Sequence, residues 1–295
     1  MRVLVTGATG YVGSTLVPEL VAAGHEVTAA TRSALDPDAW PDGVTPRHFD
    51  VGEPDSVRAA LEGQDAAYYM VHSMEHVDFA QLDREAALLF AQSCEAAGVK
   101  RIVYLSGLIP DDVLSEHLRS RLEVEQILLQ SSVPAVVLRA AMVVGAGSTS
   151  YELLSRISRR LPLTPLPAWM HTRMQPVAIA DVLHLLVRSL TTDAVDRAYD
   201  VGGDEVVTYP ELLDLFASLD GRRRRQLSVP LAPKFLVGPV VAAVAGMDSD
   251  EVTALIDSLS HDMVCADDDV RHAVAAPDHA FTGLRDSLLA AIAGH

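Results

Sequence analysis

Along the first two hundred residues, short apolar runs alternate with longer stretches whose apolar positions recur at helical spacing, the pattern of a parallel sheet covered by helices. Strands are predicted over 2–6 (RVLVT), 26–31 (EVTAAT), 66–71 (AAYYMV), 101–106 (RIVYLS) and 135–140 (AVVLRA). Between them fall helices over 11–22, with Val12, Leu16 and Leu20 on one face, and over 55–61, 78–97 and roughly 113–131. Gly24 and Gly98 are placed to end two of these helices and Asp55 to cap another; the helix over 78–97 is expected to bury Phe79, Leu82, Leu89 and Phe90. After Gly147 the regularity changes. Pro162, Pro165 and Pro167 punctuate the approach to Trp169 before PVAIADVLHLLVRSL resumes a strand-then-helix pattern, in which Asp181 reads as a helix cap. AYDVGG (198–203) reads as a final sheet strand, and 209–219 and 249–260 as helices.

The fold expected is α/β, a Rossmann-type doubly wound parallel sheet with a smaller interleaved C-terminal substrate domain. Residues 1–150 and 176–203 are assigned to the dinucleotide-binding part, and 151–175 and 204–295 to the substrate-binding part.

Charge narrows the partners. Lys and Arg number 23 against 40 Asp and Glu, a formal net charge of −17 over 295 residues. Such a surface repels phosphate backbones and anionic bilayers, so neither nucleic acid nor membrane is an expected partner. In that setting Arg222–Arg225 and Asp267–Asp269 read as solvated turns, and the three Asp residues lack metal-cage spacing. Cys94 and Cys265 stand alone, which excludes a disulfide framework, leaves no metal site expected, and suits a reducing cytoplasm. Cys94 reads as a small buried hydrophobe. The chain enters a strand directly at RVLVTG, with no leader expected before it. The apolar run over 235–247, interrupted by Gly238 and Pro239, is too short to span a bilayer and reads as a buried or pocket-lining segment.

The chemistry begins at VTGATGYVG, residues 5–13. A strand, a glycine-rich turn and a helix in immediate succession make a pyrophosphate site. Gly7 permits a tight turn, Gly10 lets backbone approach the phosphates, Gly13 lets the helix pack closely on the sheet, and the helix start supplies free N–H groups. The loop Gly7, Ala8, Thr9, Gly10, Tyr11, Val12 and Gly13 is thus the candidate cofactor cradle.

The spacing is TGxxGxxG, not GxGxxG, and it resembles the extended and atypical members of the short-chain dehydrogenase/reductase superfamily. The resemblance continues through RHFDVGEPDSVRAAL, DAAYYMVHSM, AAGVKRIVYLSG, LRAAMVVGAGS and QPVAIADV, over roughly residues 1–205, and is nearest to NmrA-like and triphenylmethane-reductase-like proteins. It implies an NAD(P)H cofactor. Arg32, 19 residues after Gly13 at the end of the second strand, is placed to pair with a 2′-phosphate, so NADP (NADPH) is favoured over NAD; otherwise it is a solvated surface arginine. Asp50 and Val51 match the pair that flanks adenine, although Asp50 also suits a turn or a cap. Val71 at a strand end, and Ala140 and Ala141 after the strand carrying Arg139, would lie near the nicotinamide.

The resemblance also implies a catalytic Ser and a Tyr-x-x-x-Lys pair. Ser106 stands where the Ser belongs, unless it only caps the following loop. The pair is replaced by His117-x-x-x-Arg121, followed by Glu125. His117 has a pKa suited to proton exchange, whereas Arg121 stays charged and is limited to binding ribose or phosphate; both also read as an exposed helix face with an Arg121–Glu125 pair. His72, with Ser73, follows a parallel strand, where ligands bind in such sheets, and is a further candidate.

These residues support an NAD(P)H-dependent oxidoreductase passing hydride to an unsaturated carbonyl, imine or quinone-like apolar small molecule. Met70, Met74, Met142, Trp169 and the late apolar run would line its pocket. The alternatives are a non-enzymatic NAD(P)-binding redox sensor of the NmrA type and a nucleotide-sugar-type epimerase or dehydratase. Either a monomer or a homodimer, paired through helices flanking the central strands, fits the sequence.

Overall fold

The computed structural model describes residues 1–32, 36–71, 79–110, 114–161, 163–223, 225–229 and 232–294. The N-terminal half runs β1 (Arg2–Val5), α1 (Tyr11–Ala22), β2 (Glu26–Thr31), β3 (Val44–His48), α2 (Pro54–Leu61), β4 (Ala66–Tyr69), α3 (Phe79–Ala97), β5 (Arg101–Gly107), α4 (Glu116–Leu129) and β6 (Ala135–Ala140). It continues through β7 (Val143–Val144), α5 (Thr149–Arg160), β8 (Leu163–Pro167), β9 (Arg173–Met174), β10 (Val177–Ala178), α6 (Ile179–Arg188) and β11 (Arg197–Val201). The last third holds β12 (Val207–Thr208), α7 (Tyr209–Leu219), β13 (Arg225–Val229), α8 (Lys234–Ala245), α9 (Ser249–Ser258), α10 (Asp269–Ala273) and α11 (Leu284–Ala293).

Seven strands form one parallel sheet in the order β11-β6-β5-β4-β1-β2-β3. The order reverses beside β1, so the crevice at the carboxyl ends of β1 and β4 is the natural ligand site. Side chains alternate across the sheet into two cores. Val3, Val5, Tyr68, Val103 and Leu138 face α1 and α6, and the Tyr68 hydroxyl donates to Leu186 O at 2.8 Å. Leu4, Tyr69, Ile102, Tyr104 and Val137 face α2, α3 and α4. The predicted doubly wound sheet is the sheet observed.

A third core gathers Tyr151, Leu154, Leu166, Met174, Leu212, Phe216, Ile256 and Leu288 around α5, α7, α9 and α11. Three two-stranded ribbons tie this region together: β7 with β10, β9 with β12, and β8 with β13. The start of α7 is fixed by a capping box, in which Thr208 and Glu211 satisfy each other's backbone N–H.

Local readings needed three corrections. Asp55 does not cap α2; Glu53 holds the cap position with Pro54 in the first turn, and Asp55 pairs with Arg58 at 2.7 Å. Leu82 is 38% exposed, because α3 turns its small residues Ala87, Ala91 and Cys94, with Phe90, toward the sheet. Asp181 lies inside the first turn of α6, buried, where it accepts from His279 Nε2 and Thr282 N, both at 2.9 Å. It anchors the C-terminal segment and does not cap its own helix.

Candidate functional site

The glycine turn is built for close backbone approach. Gly7 has φ +62°, and a Cβ there would lie 2.5 Å from Met70 O. A Cβ on Gly13 would lie 2.2 Å from Gly7 O and 2.9 Å from Ala8 Cα. The tight contact of Gly13 is therefore with the turn's own backbone, a correction to the helix-on-sheet role expected of it. Gly10 occupies the N-cap of α1 in extended conformation and donates to Gly7 O at 2.9 Å, with no side chain capping the helix. Free N–H groups and the positive end of the helix dipole face the crevice, as an anionic group requires.

A cavity of about 550 Å³ opens there. Gly7, Gly10, Tyr11, Val12, Gly13, Val71, Ser106, His117, Arg121, Ala140 and Ala141 all line it, so the structure brings eleven of the candidates to one cavity. Others lie elsewhere. Ala8 is fully buried in the first core and Thr9 is exposed. Arg32 is exposed at the end of β2, and Asp50 Oδ1 accepts from Gly52 N at 2.8 Å, the turn role. Val51 packs against the second core. His72, together with Ser73 and Met74, lies outside the described residues. Tyr11 leans over Gly145, where an added Cβ would strike its hydroxyl, and burial pushes its phenol up to about 12.

At the far side of the crevice, Arg121 Nε donates to His117 Nε2 at 3.1 Å. That nitrogen of His117 is therefore an acceptor, which marks a neutral ring. The expected Arg121–Glu125 pair is replaced. Buried Glu125 accepts from Arg139 Nε at 2.9 Å and Nη2 at 2.5 Å, while Arg139 Nη1 lies 3.7 Å from Asp200 Oδ1. The hydrogen bonds that Arg139 donates to Glu125 raise its pKa further, so Arg139 is a fixed cation clamping α4 to β6 and β11. Ser106 is 4% exposed, and its Oγ makes no hydrogen bond of good geometry.

Residues 7–162 match the model of an NAD(P)H-binding family. The chain belongs to that NAD(P)H-binding family. An uncharacterized protein of Mycobacterium tuberculosis is 30% identical over 197 residues, which make up 66% of this chain and 21% of that protein. The chain thus matches about a fifth of the length of its mycobacterial relatives. Sterol demethylase protein B of Methylococcus capsulatus is 25% identical, covering 81% of this chain and 80% of that one. Among solved structures, the triphenylmethane reductase of Citrobacter sp. superposes with a TM-score of 0.78 at 19% identity, covering 99% of this chain and all of that one. The same reductase complexed with NADP(H) gives 0.77. The NAD(P)H-binding family and the fold expected from the sequence are those found.

In this member of the NAD(P)H-binding family, the remaining wall of the cavity comes from the C-terminal region: Leu153, Met174, Tyr209, Glu251, Leu255, Ser258, Leu259 and Met263. A second cavity of about 80 Å³ adjoins it, walled by Ile157, Leu166, Met170 and Ile256 with Val237, Val240, Val241 and Val244 of α8. Leu153, Tyr209 and Leu259 line both. The late apolar run is thus pocket-lining, as its composition suggested. Met70 and Met142 line the main cavity, but Trp169 lines neither; its indole N–H donates to Ala232 O at 3.0 Å. Among the described residues no group of three or more acidic, His or Cys side chains is placed to hold a metal, and no helix is long and apolar enough to cross a membrane.

Sequence reasoning overlooked Tyr104, which also lines the cavity. The signal was present, because Tyr104 precedes Ser106 by two residues and so shares its strand face. The α9 residues left no comparable signal, since only the tertiary fold carries that helix to the crevice.

Proposed function

We propose that the protein is an NADPH-dependent reductase of apolar small molecules, with an unsaturated carbonyl, imine or quinone-like group as the hydride acceptor. One observation carries this reading: a single cavity joins the glycine cradle to Ser106, His117 and Arg121 and then to an apolar wall. The cradle fits a dinucleotide, because the sites where Cβ atoms would clash are glycines and the α1 N-terminus has no side-chain cap.

The reduced dinucleotide supplies hydride when bound. Around it, the N–H groups at the start of α1 take the pyrophosphate, and Ala140 and Ala141 leave room for a flat ring beside β6. Arg32 reaches for a 2′-phosphate, which an NAD ribose lacks. Met70, Met142 and Leu255 exclude water from the acceptor, and the second cavity accommodates an alkyl extension of it. The test is calorimetric titration with NADPH and NADH, followed by absorbance at the reduced-nicotinamide band across quinones, enones and imines. NADPH-preferring binding with oxidation by at least one acceptor supports the reading. Tight binding without oxidation by any acceptor replaces it with a redox sensor.

A further inference from the structure

Hydride added to a carbonyl carbon leaves charge on oxygen, and in a crevice of low dielectric that oxygen needs a proton from a nearby acid. Arg121 is too weak an acid to supply it. His117 accepts the Arg121 Nε–H at Nε2, and the neutral ring that this marks is a far weaker acid than a phenol. Tyr104 is a phenol on the cavity wall, 3% exposed, on the same strand face as Ser106. Burial is the largest influence on its ionisation and raises its pKa; the adjacent Arg121 guanidinium and Ser106 hydroxyl act the other way, both favouring the anion. Behind it lie the Tyr69 ring, 5.9 Å between centroids, and Asp83, which Ser120 Oγ contacts at 3.1 Å. Ser106 Oγ, buried and short of a well-formed hydrogen bond, lines the same cavity two residues along the strand from the phenol.

We propose that Tyr104 is the proton source for carbonyl-type acceptors, working through the Ser106 hydroxyl, with Arg121 holding the phenolate that results. This rests on the reductase reading. The electron pair arrives as hydride from the reduced dinucleotide, which is oxidised, and the carbonyl is reduced as a C–H bond forms and its π bond opens. The oxygen takes the Ser106 proton while Ser106 takes the Tyr104 proton, so the protein loses one phenol proton overall. Solvent restores it once the alcohol leaves. The phenol thus acts from the strand, where the usual tyrosine of the resemblance would act from the helix that here carries His117.

Two acceptors separate this from a structural role for the ring. A ketone needs a proton; a delocalised triarylmethyl cation accepts hydride and needs none. Tyr104→Phe and Ser106→Ala are each expected to slow NADPH oxidation by the ketone at least ~100-fold, the low end for losing a general acid, and by the cation less than ~3-fold. Equal losses in both arms, or undiminished ketone turnover, overturn the proposal while leaving the reductase reading in place. Wild-type protein that reduces neither acceptor overturns both. A readout without turnover is the Cζ resonance of isotopically labelled Tyr104, identified by its absence from Tyr104→Phe. It is expected to shift in Ser106→Ala and in Arg121→Met, and a signal unmoved in both overturns the contact on which the relay depends.

Discussion

A methyl group added at Gly13 would meet Gly7 O at 2.2 Å, backbone against backbone, with no flexible side chain to give way. Gly13→Ala is therefore expected to cost about 1–3 kcal/mol of stability and to weaken dinucleotide binding, read from urea unfolding and calorimetry. On the proposed reading, Arg32 meets the other end of the same ligand. Its replacement by Ala should weaken NADPH by roughly 10–100-fold, the worth of a charge-assisted contact, and NADH far less; equal losses would remove the 2′-phosphate assignment.

His184 offers a pH test. Burial foremost, then the neighbouring His279 and Arg188 charges, lowers its pKa below 6.5, and its Nε2 accepts the Ala276 N–H at 3.1 Å, a role only the neutral ring can fill. The unfolded chain therefore binds the proton more readily than the folded one. The stabilising contribution is complete above pH 6.5 and is lost as pH falls from there toward the folded-state pKa. Scanning calorimetry is expected to show the melting temperature falling over that window, and falling less in His184→Gln. Residue pairings of this kind were the least legible in the sequence. Arg121 and Glu125 are ideally spaced on one helix, yet Glu125 pairs with Arg139 on a strand, because a buried carboxylate needs the bidentate partner that the sheet supplies.

Elements were legible wherever their signals were local. The strand over 135–140 and the helix over 209–219 fall where periodicity put them, the latter started by its own Thr208 and Glu211. Where a helix end or face answers to distant chain, local reading failed, as at Asp181 and Leu82. The same holds for the site. The glycine loop is contiguous and reads directly, while α8 and α9 reach their cavities only through tertiary packing. Helix α8 carries its own prediction. With Val237, Val241 and Val244 walling the second cavity, lengthening the alkyl chain of an acceptor is expected to raise kcat/KM about fourfold per methylene until that space is filled. Val241→Phe should flatten the series and leave short acceptors unaffected.

Across the whole molecule, an anionic dinucleotide must bind a chain of net charge −17, so its affinity depends on local groups at the sheet edge and not on the overall field. Binding there links the Rossmann core to the C-terminal helices, since both wall the cavity. NADPH at a hundred times its dissociation constant is expected to stabilise the fold by about 2.7 kcal/mol, seen as a concentration-dependent rise in melting temperature.

Leu153, Tyr209 and Leu259, the side chains common to both cavities, give this arrangement a further consequence. A change at any one of them resizes two spaces at once while leaving the glycine turn and the Arg139–Glu125 clamp untouched. On the proposed reductase reading, the range of acceptors is therefore open to revision by single substitutions that leave the glycine cradle in place.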